Sequence, residues 1–236
     1  MPSQIDDLKT SLVNDLWLPI AKKGGDQLYP RLKKHKKMKL FTLTDMNYQE
    51  VRVFEDNKLT RREDVVAWNH SHQQAYRLET ELGRSKVFCE GRFDDAVIDE
   101  SEALSDFFPC DILNLDYSSQ KPTSHSGRIE REINGECVIV NLLNDLQTKG
   151  FVLLYTTLLD QIDLSSNNLS FSFNSSRTFP NPVDAIDDKV EFIRSALIST
   201  LKNNYYCVNE SDELLIHLNR TNNKIFSIGF VASRSH

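Results

Sequence analysis

Short polar stretches follow several apolar runs of this 236-residue chain, and their residue types limit the chemistry available there. In Asn114-Leu115-Asp116-Tyr117, Asp116 can take a proton as a general base, or it can cap a turn through Ser118-Ser119. In Glu90-Gly91-Arg92-Phe93-Asp94-Asp95, Asp94 suits the N-cap of a following helix. In Asn69-His70-Ser71-His72, Asn69 or Ser71 suits the same role. The two histidines, two residues apart, are too few ligands for a metal site by themselves. In Thr44-Asp45-Met46-Asn47-Tyr48, Asp45 can meet a polar group and Asn47 can cap the next helix, but no glycine allows a backbone to close in on a ligand.

A basic cluster of Arg31, Lys33, Lys34, Lys36, Lys37 and Lys39 stands out in a chain of net charge -6. Such a cluster can touch the phosphates of a nucleic acid, or it can be a solvated helix end. The acidic balance argues against a generally basic nucleic-acid coat protein. The sequence lacks the phosphate-loop pattern GxxxxGK[ST], the zinc pattern HExxH and the nucleophile-elbow pattern GxSxG.

The elements that would carry these stretches follow from the hydropathy pattern. Ile5, Leu8, Leu12, Val13, Leu16 and Leu18 recur at helical spacing, predicting an amphipathic helix over 5–23 ended by Gly24-Gly25. Strands are predicted at 38–43, 65–68, 86–89, 110–115 and 151–155. Helices are predicted at 73–82, 94–107, within 129–149, and at 183–201. The apolar run Phe151 to Tyr155 suits a strand covered on both faces, as in a parallel sheet. The Ser- and Asn-rich stretch 161–182 reads as a surface loop, and 121–127 as a loop over the carboxyl edge. Residues 213–218 and 224–230, separated by turn-forming residues, predict an antiparallel hairpin.

Strand–helix alternation predicts an α/β fold with a doubly wound, mostly parallel, Rossmann-like sheet. With the terminal hairpin, the order of elements over roughly 38–232 resembles the class I S-adenosylmethionine-dependent methyltransferases. Residues 1–37 are then an N-terminal helical extension, and 38–236 a methyltransferase-like α/β domain. The resemblance implies S-adenosylmethionine as cofactor. It places Thr44 and Asp45 in the first cofactor loop, although the glycine-rich motif is missing there. Asn69 stands where the family carries an acid for the ribose hydroxyls, and Phe93 and Asp94 where it holds the adenine. It also aligns Asn114 to Tyr117 with a four-residue motif that accepts hydrogen bonds from a target amine and stacks an aromatic ring on a planar substrate. Asn114 and Tyr117 match its ends, while Leu115 and Asp116 replace its two prolines. The resemblance makes Asn114 and Tyr117 candidate catalytic residues, Asp116 joins them as the general-base candidate, and the basic cluster supplies Lys33, Lys34, Lys36 and Lys37 as candidates for nucleic-acid contact.

Two functions compete. One is a divergent S-adenosylmethionine-dependent methyltransferase acting on a nucleic acid or a protein. The other is a catalytically inactive methyltransferase-like subunit or adaptor of a larger assembly, docked through the N-terminal extension with its exposed-looking leucines and Trp17. A nucleotide-sensing or nucleic-acid-binding protein without methyl transfer is a third class, supported only by the basic cluster. The polar, acidic N-terminus and the absence of a long apolar run predict a cytoplasmic protein with no membrane association. Cys89, Cys110, Cys137 and Cys207 are scattered without a CxxC. Cys89, Cys110 and Cys207 lie in or beside predicted strands and are expected as buried thiols of a reducing compartment.

Overall fold

The computed structural model describes residues 9–30, 37–44, 48–69, 71, 73, 76, 80, 86–88, 93, 96–97, 104–117, 132–133, 136–137, 142–158, 186–208, 214–218 and 224–234. The principal strands are β1 (Leu40–Leu43), β2 (Val65–Trp68), β3 (Lys86–Phe88), β4 (Ile112–Asp116) and β7 (Phe151–Leu158). They form a parallel sheet in the order β3-β2-β1-β4-β7. β10 (Lys224–Arg234) pairs antiparallel with β7, and β8 (Tyr206–Val208) and β9 (Leu214–Leu218) both pair antiparallel with β10. The chain therefore winds outward in both directions from a switch point between β1 and β4. The predicted hairpin exists as β9–β10, but β10 lies inside the sheet: β8 and β9 occupy the edge beyond it.

Alternation along the strands separates two apolar layers. Phe41, Leu43, Leu113, Leu115, Leu153, Tyr155, Phe226 and Ile228 belong to one layer, against Ile193 and Leu197 of the long helix α3 (Ile186–Asn203). Leu40, Val65, Ala67, Ile112, Val152 and Leu154 belong to the other. That second layer is covered by α2 (Gln49–Asp56) and by the N-terminal helical segment, which consists of a π-helical turn over Val13–Trp17 and α1 (Leu18–Leu28).

This packing corrects two expectations for the N-terminal segment. Leu12, Val13, Leu16, Trp17 and Ile20 are buried against the sheet rather than exposed, and Trp17 Nε1 donates to Ser227 Oγ on β10 at 3.0 Å. Nor does Gly24-Gly25 end the helix, which continues to Leu28. A Cβ on Gly24 would stand 2.1 Å from Val152 Cγ2, so the glycine permits helix and sheet to approach rather than terminating the helix.

A further correction concerns the helix predicted within 129–149. β5 (Glu132–Ile133) and β6 (Glu136–Cys137) pair antiparallel, with Ile133 opposite Glu136, and a π-helical turn follows over Leu142–Leu146. The two residues between the paired ones are Asn134-Gly135, types suited to a two-residue hairpin turn. Cys110 is buried as expected, whereas Cys207 is exposed at the sheet edge. Burial, with the Asp111 charge adding to it, pushes the Cys110 thiol up to about 12. The Ser- and Asn-rich stretch 161–182 and the loop 121–127 lie outside the described residues, as do Cys89 and the histidines at 70 and 72. Among the described residues, no helix is long and apolar enough to cross a membrane.

Candidate functional site

In a doubly wound sheet the carboxyl ends of the strands at the switch point form the natural binding crevice. Here that place is on the layer covered by the N-terminal segment. Thr42 on β1 pairs in register with Asn114 on β4, and Asp116 on β4 with Thr156 on β7. Each strand is apolar at its amino end on this face and polar near its carboxyl end, as with Ile112, Asn114 and Asp116 along β4. The result is a wholly buried polar patch bounded by apolar core.

Its connections run through four elements. Asn114 Nδ2 donates to Thr42 Oγ1 at 3.0 Å, and Thr42 Oγ1 donates to Glu50 Oε1 of α2 at 3.2 Å. Lys9, from the N-terminal segment, places its ammonium 3.1 Å from Asp116 Oδ2 and 3.6 Å from Glu50 Oε2. Lys9 is itself buried, and its ammonium stands 6.0 Å from the Trp17 ring centroid. The Asn114 carbonyl oxygen is buried with no hydrogen-bond partner among the described residues. Thr156 and Ser227 extend the polar patch, their hydroxyls 2.7 Å apart beneath the Trp17 indole N–H. Among the described residues, the Asp116 and Glu50 carboxylates thus both face the Lys9 ammonium, in surroundings where an unpaired charge is costly.

Asn114 and Asp116 are brought together on one face, but Tyr117 is not. Asn114 lies within β4 rather than in the loop after it, because the strand runs to Asp116. Tyr117 packs in the opposite layer, its ring centroid 5.9 Å from that of Tyr155. Lys9, Thr42 and Glu50 carried no local signal in the sequence. Lys9 is 107 residues from its partner Asp116, and no motif spacing reaches that far.

The cofactor corner is built differently. The Thr44 backbone carbonyl accepts from Asn69 Nδ2 at 2.9 Å, and Asn69 Oδ1 accepts from the Ser71 backbone N–H at 2.9 Å. The Asn69 amide therefore ties the segment after β1 to the segment after β2 and begins an Asx-type turn. Phe93 is buried between Phe41 and Trp68, with ring centroids 4.9 and 5.6 Å away. Of the other candidates, Asp45 and Asp94 lie outside the described residues, as do Lys33, Lys34 and Lys36. Lys37 Nζ donates to the Lys58 carbonyl at 2.5 Å. Among the described residues no group of three His, Cys, Asp or Glu side chains could hold a metal ion.

Of the residues expected at this corner, the described ones, Thr44, Asn69 and Phe93, offer S-adenosylmethionine neither a carboxylate nor an exposed ring. At the ribose position the neutral Asn69 replaces the family's acid, and its amide bonds the Thr44 carbonyl and the Ser71 N–H. The cofactor's adenine needs an apolar surface at the cleft, and Phe93 belongs to the core.

A second buried polar cluster sits at the opposite, amino end of β4. Asp111 accepts from the Lys39 backbone N–H at 2.8 Å, from Lys149 Nζ at 2.6 Å and from the Tyr29 hydroxyl. Burial alone would raise the Asp111 pKa, but these donors outweigh it and hold the carboxyl below its usual range. Burial and the bond to Asp111 push the Tyr29 hydroxyl up, keeping it protonated as a donor. This cluster pins the end of α1 to the sheet and lies away from the switch-point crevice.

Strand order, the antiparallel β10 and the helices on both faces define a methyltransferase-like, Rossmann-like α/β fold. No protein-family model matches the chain, and no curated protein matches it in sequence. Two solved structures are similar over most of its length. One, from Pyrococcus horikoshii and described as a transferase, has 9% identity and a TM-score of 0.42 over 90% of this chain, which spans 64% of that protein. The other, a precorrin-6y C5,15-methyltransferase from Geobacter metallireducens, has 10% identity and a TM-score of 0.39 over 89% of this chain and 87% of its own. At such identities and scores the fold assignment rests on the strand order, not on either neighbour.

Proposed function

We propose that the chain keeps the methyltransferase framework without the cofactor chemistry, and acts as a non-catalytic subunit or adaptor. The observation that carries this reading is the Asn69 amide, which bonds the Thr44 carbonyl and the Ser71 N–H at the corner where the cofactor ribose would sit. The engagement of Asp116 by Lys9 agrees with it, since the β4 acid is already bonded to an amine of its own chain. A partner that used the N-terminal segment would meet its outward residues, such as Asn14, Asp15, Lys22 and Gln27. Calorimetric titration of the full chain with S-adenosylmethionine, and separately with its demethylated product, tests the reading. No binding is expected up to millimolar concentration. Saturable binding of either compound at micromolar concentration would overturn the proposal and restore methyl transfer as the function.

A further inference from the structure

The switch-point patch has the chemistry of a receptor for an ammonium group. Its groups include the Asp116 and Glu50 carboxylates and, from the same face of β4 as Asp116, the side-chain carbonyl oxygen of Asn114, all of them acceptors on side chains almost wholly withdrawn from solvent. The acceptor on Asn114 is independent of the acidic pair: it belongs to a neutral amide whose other end is bonded to Thr42, and it has no donor among the described residues. A buried acceptor left unsatisfied is costly, so the patch has capacity for another N–H than those it holds. The group that reaches the carboxylates is a primary ammonium on a four-carbon stem, delivered by a helical segment more than a hundred residues away in sequence.

We infer that this patch is a binding site for a primary alkylammonium group, filled by Lys9 in this conformation, and that a small primary alkylamine can take the same place when Lys9 is absent. The inference is independent of whether the cofactor corner functions, because none of its residues belongs to that corner.

Chemical rescue in the full chain tests it. Lys9→Ala removes the ammonium and most of its stem, leaving the carboxylates without it. Its Tm is expected to fall by roughly 6–20 °C, the range for breaking a buried ion pair in a chain of this size. Millimolar n-butylammonium chloride should restore at least half of that loss, whereas tetramethylammonium chloride, which has the same charge but no N–H, should not. Neither salt should shift the Tm of the unsubstituted protein, in which Lys9 occupies the ammonium's place. Rescue should vanish in Lys9→Ala/Asp116→Asn. An unchanged Tm in Lys9→Ala, failure of n-butylammonium to rescue, equal rescue by both salts, or rescue that survives Asp116→Asn would each overturn the proposal. If Lys9→Ala does not fold unaided, its refolding yield with each salt gives the same comparison.

Discussion

Single side chains in this protein do their work through what they join. Asn69 joins two loops, Asp111 joins α1 to the sheet, and Lys9 joins the N-terminal segment to β4 and α2. For Asp111 the consequence is a defined pH dependence. Its folded-state pKa is lowered, so its contribution to stability is fully present above the unfolded value near 4 and is lost as pH falls through the folded value. Asp111→Asn should destabilise the protein by about 2 kcal/mol at pH 7, a figure that discounts the ion pair because Lys149 is partly exposed. The gap between variant and parent should narrow as pH is lowered below about 4. Urea titrations at several pH values measure it; a gap independent of pH would show that the carboxylate charge contributes nothing. The sequence marked Asn114 through its match to the first position of the four-residue motif at the carboxyl end of a strand, and Asp116 as a candidate general base. It could not mark Lys9, Thr42 or Glu50, since nothing local distinguishes a helix lysine that faces inward from one that faces water.

The contact between α1 and the sheet depends on two glycines, one from each side. A Cβ on Gly24 would press on Val152 Cγ2, and one on Gly229 of β10 would stand 2.4 Å from Ile20 Cδ1. The obstacles differ in stiffness. Val152 is β-branched and held within a central strand, whereas Ile20 Cδ1 is the far end of a side chain that can turn aside. Gly24→Ala should therefore cost about 1–3 kcal/mol, although alanine favours a helix over glycine by about 1 kcal/mol. Gly229→Ala should cost less. Chemical denaturation of both variants decides the order, and a stabilised Gly24→Ala would contradict the packing. The same contact explains why the helix end was misread. A Gly-Gly pair is a stop signal only where nothing else needs the space. Strands were easier to read: β2 was predicted residue for residue, because a strand buried on both faces leaves an uninterrupted apolar run. β8 was missed, since Tyr206-Cys207-Val208 is too short for periodicity and one member faces solvent.

For the molecule as a whole, the N-terminal helical segment is a wall of the core. Leu12, Leu16, Trp17 and Ile20 share one layer with residues of β1, β2, β4, β7 and β10. Removing residues 1–28 would bare that layer and unseat the Lys9 and Tyr29 attachments. The truncated chain should lose its cooperative unfolding transition and bind a hydrophobic dye. A truncated form that melts sharply, with the dispersed spectrum of a folded domain, would refute this role. The tie between Trp17 and Ser227 spans 210 residues, and β10 fills a place between β7 and the edge strands. During synthesis, α1 emerges early but has no complete seat until β10 follows. Until then its apolar face has to be shielded by transient contacts or a chaperone, so the ribosome's pace over the intervening residues sets how long the protein stays vulnerable to aggregation.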